Sequence, residues 1–267
     1  MALIAVAAPA IGEPLTYYNG RLFVEARING VPTEALLDSA AEATLVDPTF
    51  AAKAKLDEGR AQEIRGSGGT ARAQIVEGAT IDALGQQIHP NAIVVTDLAE
   101  LSRRLIKRPT QVVLGRELFD AVRLQIDISR DNIIPVSRDA APSGQRLVLT
   151  HHAGVECVSV VADGTPLQAE FDLGNGSGVL ISRAAATGLG LKIIGHQAGG
   201  GIGGSVQRDL VRLTSLQVAG RSFHNIVAAI DDQSNAQELN IGTSILKHFM
   251  ITTDFQQRAV WLAPDRR

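Results

Sequence analysis

The sequence predicts an all-β fold, mainly strand with a few short helices, folded as two lobes from an internal duplication. Three observations predict it. Short runs rich in Val, Ile and Leu alternate with Gly, Asn and Asp turns at roughly ten-residue spacing, the pattern of an all-β chain. The segment RLFVEARINGVPTEALLDSAAEATLV around Asp38 recurs as VECVSVVADGTPLQAEFDLGNGSGVLI around Asp172. Setting Asp38 on Asp172 also sets Gly30 on Gly164 and Pro32 on Pro166, each 134 positions on (172 − 38, 164 − 30, 166 − 32). Farther along, VVLGRELFDAVRLQIDIS (112–129) recurs as LNIGTSILKHFMITTDFQ (239–256). There Gly115 matches Gly242 and Asp127 matches Asp254, both 127 apart (242 − 115, 254 − 127). Two copies are too few for a solenoid, so a pseudo-twofold pair of lobes is expected.

Each copy reads as strand, Gly-containing turn and second strand, the second strand ending at its aspartate. Helical patterns are confined to 48–56, 98–106, 116–122 and 243–249. Pro, Gly, Ser and charges gather in SRDNIIPVSRDAAPSGQR, which reads as a connection. The expected division is an N-terminal segment 1–16, a first lobe 17–130 carrying Asp38, a linker 131–146, and a second lobe 147–267 carrying Asp172.

Composition narrows the function classes. A chain of 267 residues with 45% hydrophobic and 20% charged residues can bury a sizeable core. The net charge of −3 gives no reason to expect nucleic acid or an anionic membrane as partner. The basic run RRLIKR (103–108) is expected on a solvated helix face. Cys157 is the single cysteine, which excludes an internal disulfide, and within VECVSVV it reads as a buried structural thiol. No apolar run reaches the ~20 residues of a membrane helix. The opening MALIAVAAPAIGEP ends in small residues like a signal-peptidase site but lacks a basic start. It reads as a trimmed signal remnant or as a first strand, which leaves both a periplasmic and a cytoplasmic location open.

The six histidines show no metal-ligand spacing, and no metal or cofactor is expected. GGGIGG (199–204) satisfies G-x-G-x-x-G only as a string, since no helix follows it. Asp127 and Asp254 are duplicated acids at strand ends, where a turn or cap role is expected.

Asp38 and Asp172 are the chemically interesting pair. Brought together on a twofold axis, two carboxylates about 3 Å apart share one proton and titrate in two coupled steps. The ionised member can accept a proton from a water, and the protonated member can donate to a carbonyl under attack.

At these residues the chain resembles the aspartic peptidases, the retropepsin-like and pepsin-like superfamily. LLDSAAEATLV (36–46) and EFDLGNGSGVLI (170–181) resemble the two active-site loops. VVLGRELF (112–119) and NIGTSILKHF (240–249) resemble the two later glycine segments. The resemblance implies hydrolysis of peptide or protein substrates by Asp38 and Asp172, with a complete site in a monomer. It implies that Ser39 braces the opposite loop, that Ala40, Gly174 and Asn175 present amides near the carboxylates, and that Ala41 and Thr44 support the first loop. Glu42 falls where retroviral members hold substrate backbone. Gly66, Ser67, Gly68 and Gly69 in RGSGGTAR, and Gly200, Gly201, Ile202 and Gly203 in QAGGGIGGSVQ, resemble a pair of flaps. The chain departs from the pattern at Leu173, where a bracing hydroxyl is usual, and at Ala40, where glycine is usual. Those departures favour an alternative, a catalytically silent relative that binds peptides or a partner protein in the same cleft.

Overall fold

The computed structural model describes residues 13–265. The expectation for the N-terminal segment falls largely on residues outside this range; within it, Glu13–Pro14 is a short strand paired with Ile133 and Asn132. Most of the described chain is strand, in three sheets.

The two lobes repeat one topology. In the first, Arg21–Ile28 and Val31–Leu37 form a hairpin through Asn29-Gly30. In the second, Val155–Ala162 and Thr165–Phe171 do so through Asp163-Gly164. These are short-turn dipeptides between alternating apolar runs, a strong local hairpin signal. Each hairpin's second strand then runs parallel to a strand from far downstream: Val31–Leu37 beside Val112–Leu114, and Thr165–Phe171 beside Leu239–Ile241. The chain that follows each aspartate returns antiparallel along that same downstream strand, as Leu45–Val46 and Val179–Ser182.

A six-stranded sheet joins the lobes. At its centre Leu124–Asp127 pairs antiparallel with Phe249–Asp254, and Gln125 faces Thr252, its own counterpart at the 127-residue offset (252 − 125). The pseudo-twofold axis therefore passes through this pair. Beneath it, Phe119 of one repeat stacks on Phe255 of the other at 5.2 Å between ring centres, and buried apolar residues from both repeats form one continuous core. Of the segment read as a linker, Asn132–Pro135 is a strand of this sheet, and Gln145–Val148 begins another, so only Asp131 and 136–144 lie outside strands.

Side chains cap two of the helices. Asp47 accepts the Thr49 amide at 2.9 Å ahead of Pro48–Lys53. Ser182 caps Arg183–Gly188, a helix the sequence pattern did not reveal because Ala-Ala-Ala-Thr-Gly has no apolar period. The stretch expected as one helix at 98–106 is instead a single turn, Ala99–Leu101, continuing into a wide turn, Ser102–Ile106. Asp127 accepts the amides of Ser129 and Arg130, and fully buried Asp254 accepts Gln257 and the Arg123 guanidinium. Both acids are structural, as their duplicated strand ends suggest. No helix among the described residues is long and apolar enough to cross a membrane.

Candidate active site

The parallel strand pairs deliver the two aspartates to equivalent places. The Asp38 amide donates to the Leu114 carbonyl at 3.0 Å, and the Asp172 amide to the Ile241 carbonyl at 3.1 Å. Each strand's core face is filled by Ala35 and Leu37, or by Ala169 and Phe171. The carboxylates therefore emerge half-buried on the cleft side.

The loops after the strands aim amides at these carboxylates. Asp38 Oδ1 accepts from Ala40 N at 2.9 Å and Ala41 N at 3.1 Å. Asp172 Oδ1 accepts from Asn175 N at 2.9 Å, and its Oδ2 from the Asn240 side-chain amide at 2.8 Å. Ala40 lies outside the left-handed region, so the turn accommodates its Cβ. Gly174 differs: a Cβ there would overlap the Asp38 carboxylate, so the second loop runs directly against the first aspartate. The two acids thus sit on interlocked loops of opposite lobes.

Burial is the largest influence on both acids. It pushes Asp38 up to about 7, reinforced by the Asp172 charge and opposed by the Ala40 and Ala41 amides and by Arg21. Burial also raises Asp172, against Asn240, the Asn175 and Gly174 amides, and Arg21. A pair whose second charge is disfavoured in this way holds a proton into the neutral range.

Ser39 carries the cross-lobe brace. Its hydroxyl donates to the Phe171 carbonyl at 2.7 Å and accepts the Leu173 amide at 2.9 Å, both across the interface. Leu173 supplies no hydroxyl in return; its side chain is fully buried in the apolar core. Thr44 donates to Glu117 at 3.1 Å and accepts the Gly115 amide at 3.2 Å, locking the first loop to its glycine segment. The second loop is locked instead by Asn175, whose side chain donates to Asn240 at 2.6 Å and to the Gly178 carbonyl at 2.7 Å. Glu42 is exposed and packs against Gly154 at the turn of a second-lobe hairpin; the counterpart contact is Gly176 against Gly20.

The Gly-rich segments form two hairpins, Arg60–Gly66 with Gly69–Val76 and Gly195–Gly201 with Gly204–Val218. Their tips meet over the aspartates. Gly68 N donates to the Ile202 carbonyl at 3.0 Å, and Gly201 packs on the Ser67 hydroxyl. Side chains at Gly68 or Gly203 would strike the backbone of the opposite hairpin, which explains why the tips are glycine. Ile202 reaches across to pack on the first lobe's apolar cluster. Gly66, Gly69 and Gly200 complete the tips. The space enclosed beneath is a cleft of about 690 Å³ lined by residues of both lobes, including both aspartates.

Four residues of the site were not singled out in the sequence. Arg21, 6% exposed, sits near both aspartates, donates to the Asn19 and Leu105 carbonyls, and reaches Ser177 at 3.3 Å. Arg104, expected on a solvated face, instead donates to the carbonyls of Gly199, Gly201 and Gly204 and holds the second hairpin. Glu170 and Asn240 flank Asp172 and are joined to each other at 2.8 Å. The duplication contained a signal for these last two, because they align with Leu36 and Val113. Among the described residues no cluster of His, Cys, Asp and Glu is arranged to hold a metal ion.

Asp38 and Asp172, one half-buried acid from each repeat of a duplicated β fold, stand on interlocked loops beneath a cleft and define the class of acid-pair folds. The family model for aspartyl proteases matches this chain twice, over residues 24–118 and 158–245, the first match spanning Asp38 and the second Asp172. The chain belongs to the aspartyl protease family. A search of curated proteins returned no match.

Proposed function

We propose that the protein is an aspartic endopeptidase in which Asp38 and Asp172 activate water for attack on a peptide carbonyl. The carrying observation is the carboxylate pair itself: two half-buried acids on opposite lobes, each with amides aimed at one oxygen, and both titrating above the ordinary carboxylate range. Asp38 has no side-chain donor and feels the charge of Asp172, so it carries the shared proton. Asp172, held by Asn240 and Asn175, stays ionised and takes the proton of the attacking water. Asp38 donates its proton to the carbonyl oxygen as the tetrahedral intermediate forms. As the C–N bond then breaks, the proton on Asp172 passes to the departing amine and Asp38 takes a hydroxyl proton back from the intermediate, which leaves a carboxylic acid and restores the shared-proton pair. No covalent intermediate or metal enters these steps.

The lobes 17–130 and 147–267, joined through 131–146, form the two walls of the cleft, so a single chain holds a complete site. The Gly-rich hairpins act as flaps that open to admit an extended substrate and close to exclude water. A catalytically silent peptide-binding relative is the second reading, favoured by Leu173 in place of a bracing hydroxyl. Incubation with a diverse peptide pool between about pH 4 and 7 separates the two. Cleavage lost in both Asp38→Asn and Asp172→Asn supports the enzyme. Peptide capture without cleavage at every pH supports the silent relative.

A further inference from the structure

The duplication gives each half of the cleft an equivalent wall, and the two walls have opposite chemistry. On the first lobe, Phe23, Leu36 and Val113 form a buried apolar cluster with Leu98 and Ile106. Sheet register fixes their counterparts. Phe23 pairs with Leu36 as Cys157 pairs with Glu170, and Leu36 lies beside Val113 as Glu170 lies beside Asn240. An apolar trio on one lobe is therefore Cys157, Glu170 and Asn240 on the other.

Glu170 points to the cleft face of its strand, since Ala169 and Phe171 on either side fill the core. Its Oε2 accepts the Asn240 side chain, which turns its other bond toward Asp172. The titratable groups around it are Asp172, Asp231 and the imidazole of His152. His152 is engaged with the Asn235 carbonyl at 3.1 Å, and Asp231 is matched by Arg208 at 3.2 Å, itself tied to the Ser67 carbonyl. Glu170 has no ion-pair partner among the described residues. Burial and the neighbouring carboxylates push it up to about 7, against the Asn240 hydrogen bond, so the fold itself compensates its charge poorly. A buried carboxylate of this kind gains most from a cation that arrives with hydrogen-bond donors.

We propose that Glu170 makes the second-lobe half of the cleft a subsite for a lysine or arginine side chain, while the Leu36 half takes an apolar one. The inference rests on the peptidase reading and extends it to the substrate: a chain with an apolar and a basic residue flanking the cleaved bond. The two acids of the catalytic pair lie between these halves, so a single scissile bond is bracketed by one pocket of each kind.

The test uses peptides identical except at the two residues flanking the central bond: Leu-Lys, Lys-Leu, Leu-Leu, Leu-Gln and Leu-Glu. Wild-type protein should cleave one of the two mixed apolar–basic orders at least about tenfold better in kcat/KM than Leu-Leu, and Leu-Glu worst. Glu170→Gln, which keeps the size and the Asn240 contact, should abolish the preference for lysine while Leu-Gln cleavage persists. Glu170→Leu should shift the preference to Leu-Leu. Equal rates for lysine and leucine peptides, or an unchanged preference in Glu170→Gln, overturns the subsite. Binding of the same fluorescently labelled peptides to Asp38→Asn protein is read in parallel. A Glu170-dependent lysine preference in binding, with no cleavage by the wild type, keeps the subsite and overturns the peptidase reading. Binding without that preference overturns the subsite.

Discussion

The hydroxyl of Ser39 sits between two backbone groups of the opposite lobe, accepting from the Leu173 amide at 2.9 Å and donating to the Phe171 carbonyl at 2.7 Å. One serine thereby fixes the distance between the loops that carry Asp38 and Asp172. The brace is one-sided, because the position that would return it is a leucine packed into the core.

Ser39→Ala should strand that buried amide and carbonyl together and lower stability by about 2–4 kcal/mol. Urea unfolding measures it. Leu173→Thr should not strengthen the site: it removes fully buried methyls and adds a hydroxyl, and is expected to cost about 1–3 kcal/mol in the same assay.

Raised carboxyl pKa values set the sign of the pH dependence. Asp38 keeps its proton to about 7 when folded but releases it near the ordinary aspartate value of 3.8 when unfolded. Across that window the folded state binds more protons, so this contribution to stability falls as pH rises. Asp172 and Glu170 are shifted the same way. Melting temperature measured from about pH 4 to 8 should decline more steeply for the wild type than for Asp38→Asn. Hydrolysis needs one protonated acid, so the alkaline limb of the activity profile should fall near pH 7.

Gly174 is the point of closest approach between the second loop and Asp38. Gly174→Ala must displace the carboxylate or the loop, and kcat/KM should fall by at least about a hundredfold. Circular dichroism should show the strands intact.

Arg104 ties three carbonyls of the second Gly-rich hairpin to the first lobe. In Arg104→Ala, amide hydrogen exchange across 199–204 should accelerate at least about tenfold. KM should rise more than kcat falls, as expected when a cover over bound substrate loosens.

Much of this was readable in the sequence because a duplication makes weak signals repeat. Asp38 and Asp172 stand out only as a pair, and the matched glycines at 115 and 242 place the parallel strands that position them. Ala40 and Asn175 were legible too, as backbone donors whose side chains matter little to that role. What the sequence concealed was contact at long range. Arg21 starts the hairpin that ends near Asp38, but it lies 151 residues from Asp172 (172 − 21), and the packing of the lobes, which sets it against Ser177, brings its charge to that second acid. Arg104 belongs to a basic run that reads as solvent-facing, yet its guanidinium finds backbone carbonyls on a hairpin 95 to 100 residues away. Glu170 is hidden by the similarity of the repeats around it; its difference from Leu36 carries the information.

The central claim is that Asp38 and Asp172 act as one unit, and a double-mutant cycle on peptide hydrolysis measures it most directly. Asp38→Asn and Asp172→Asn are compared singly and together by kcat/KM on a peptide the wild type cleaves. Each single change should remove at least about a thousandfold, and the double variant should be no slower than either one. Multiplying losses in the double variant, or substantial cleavage surviving either single change, would contradict a shared catalytic pair.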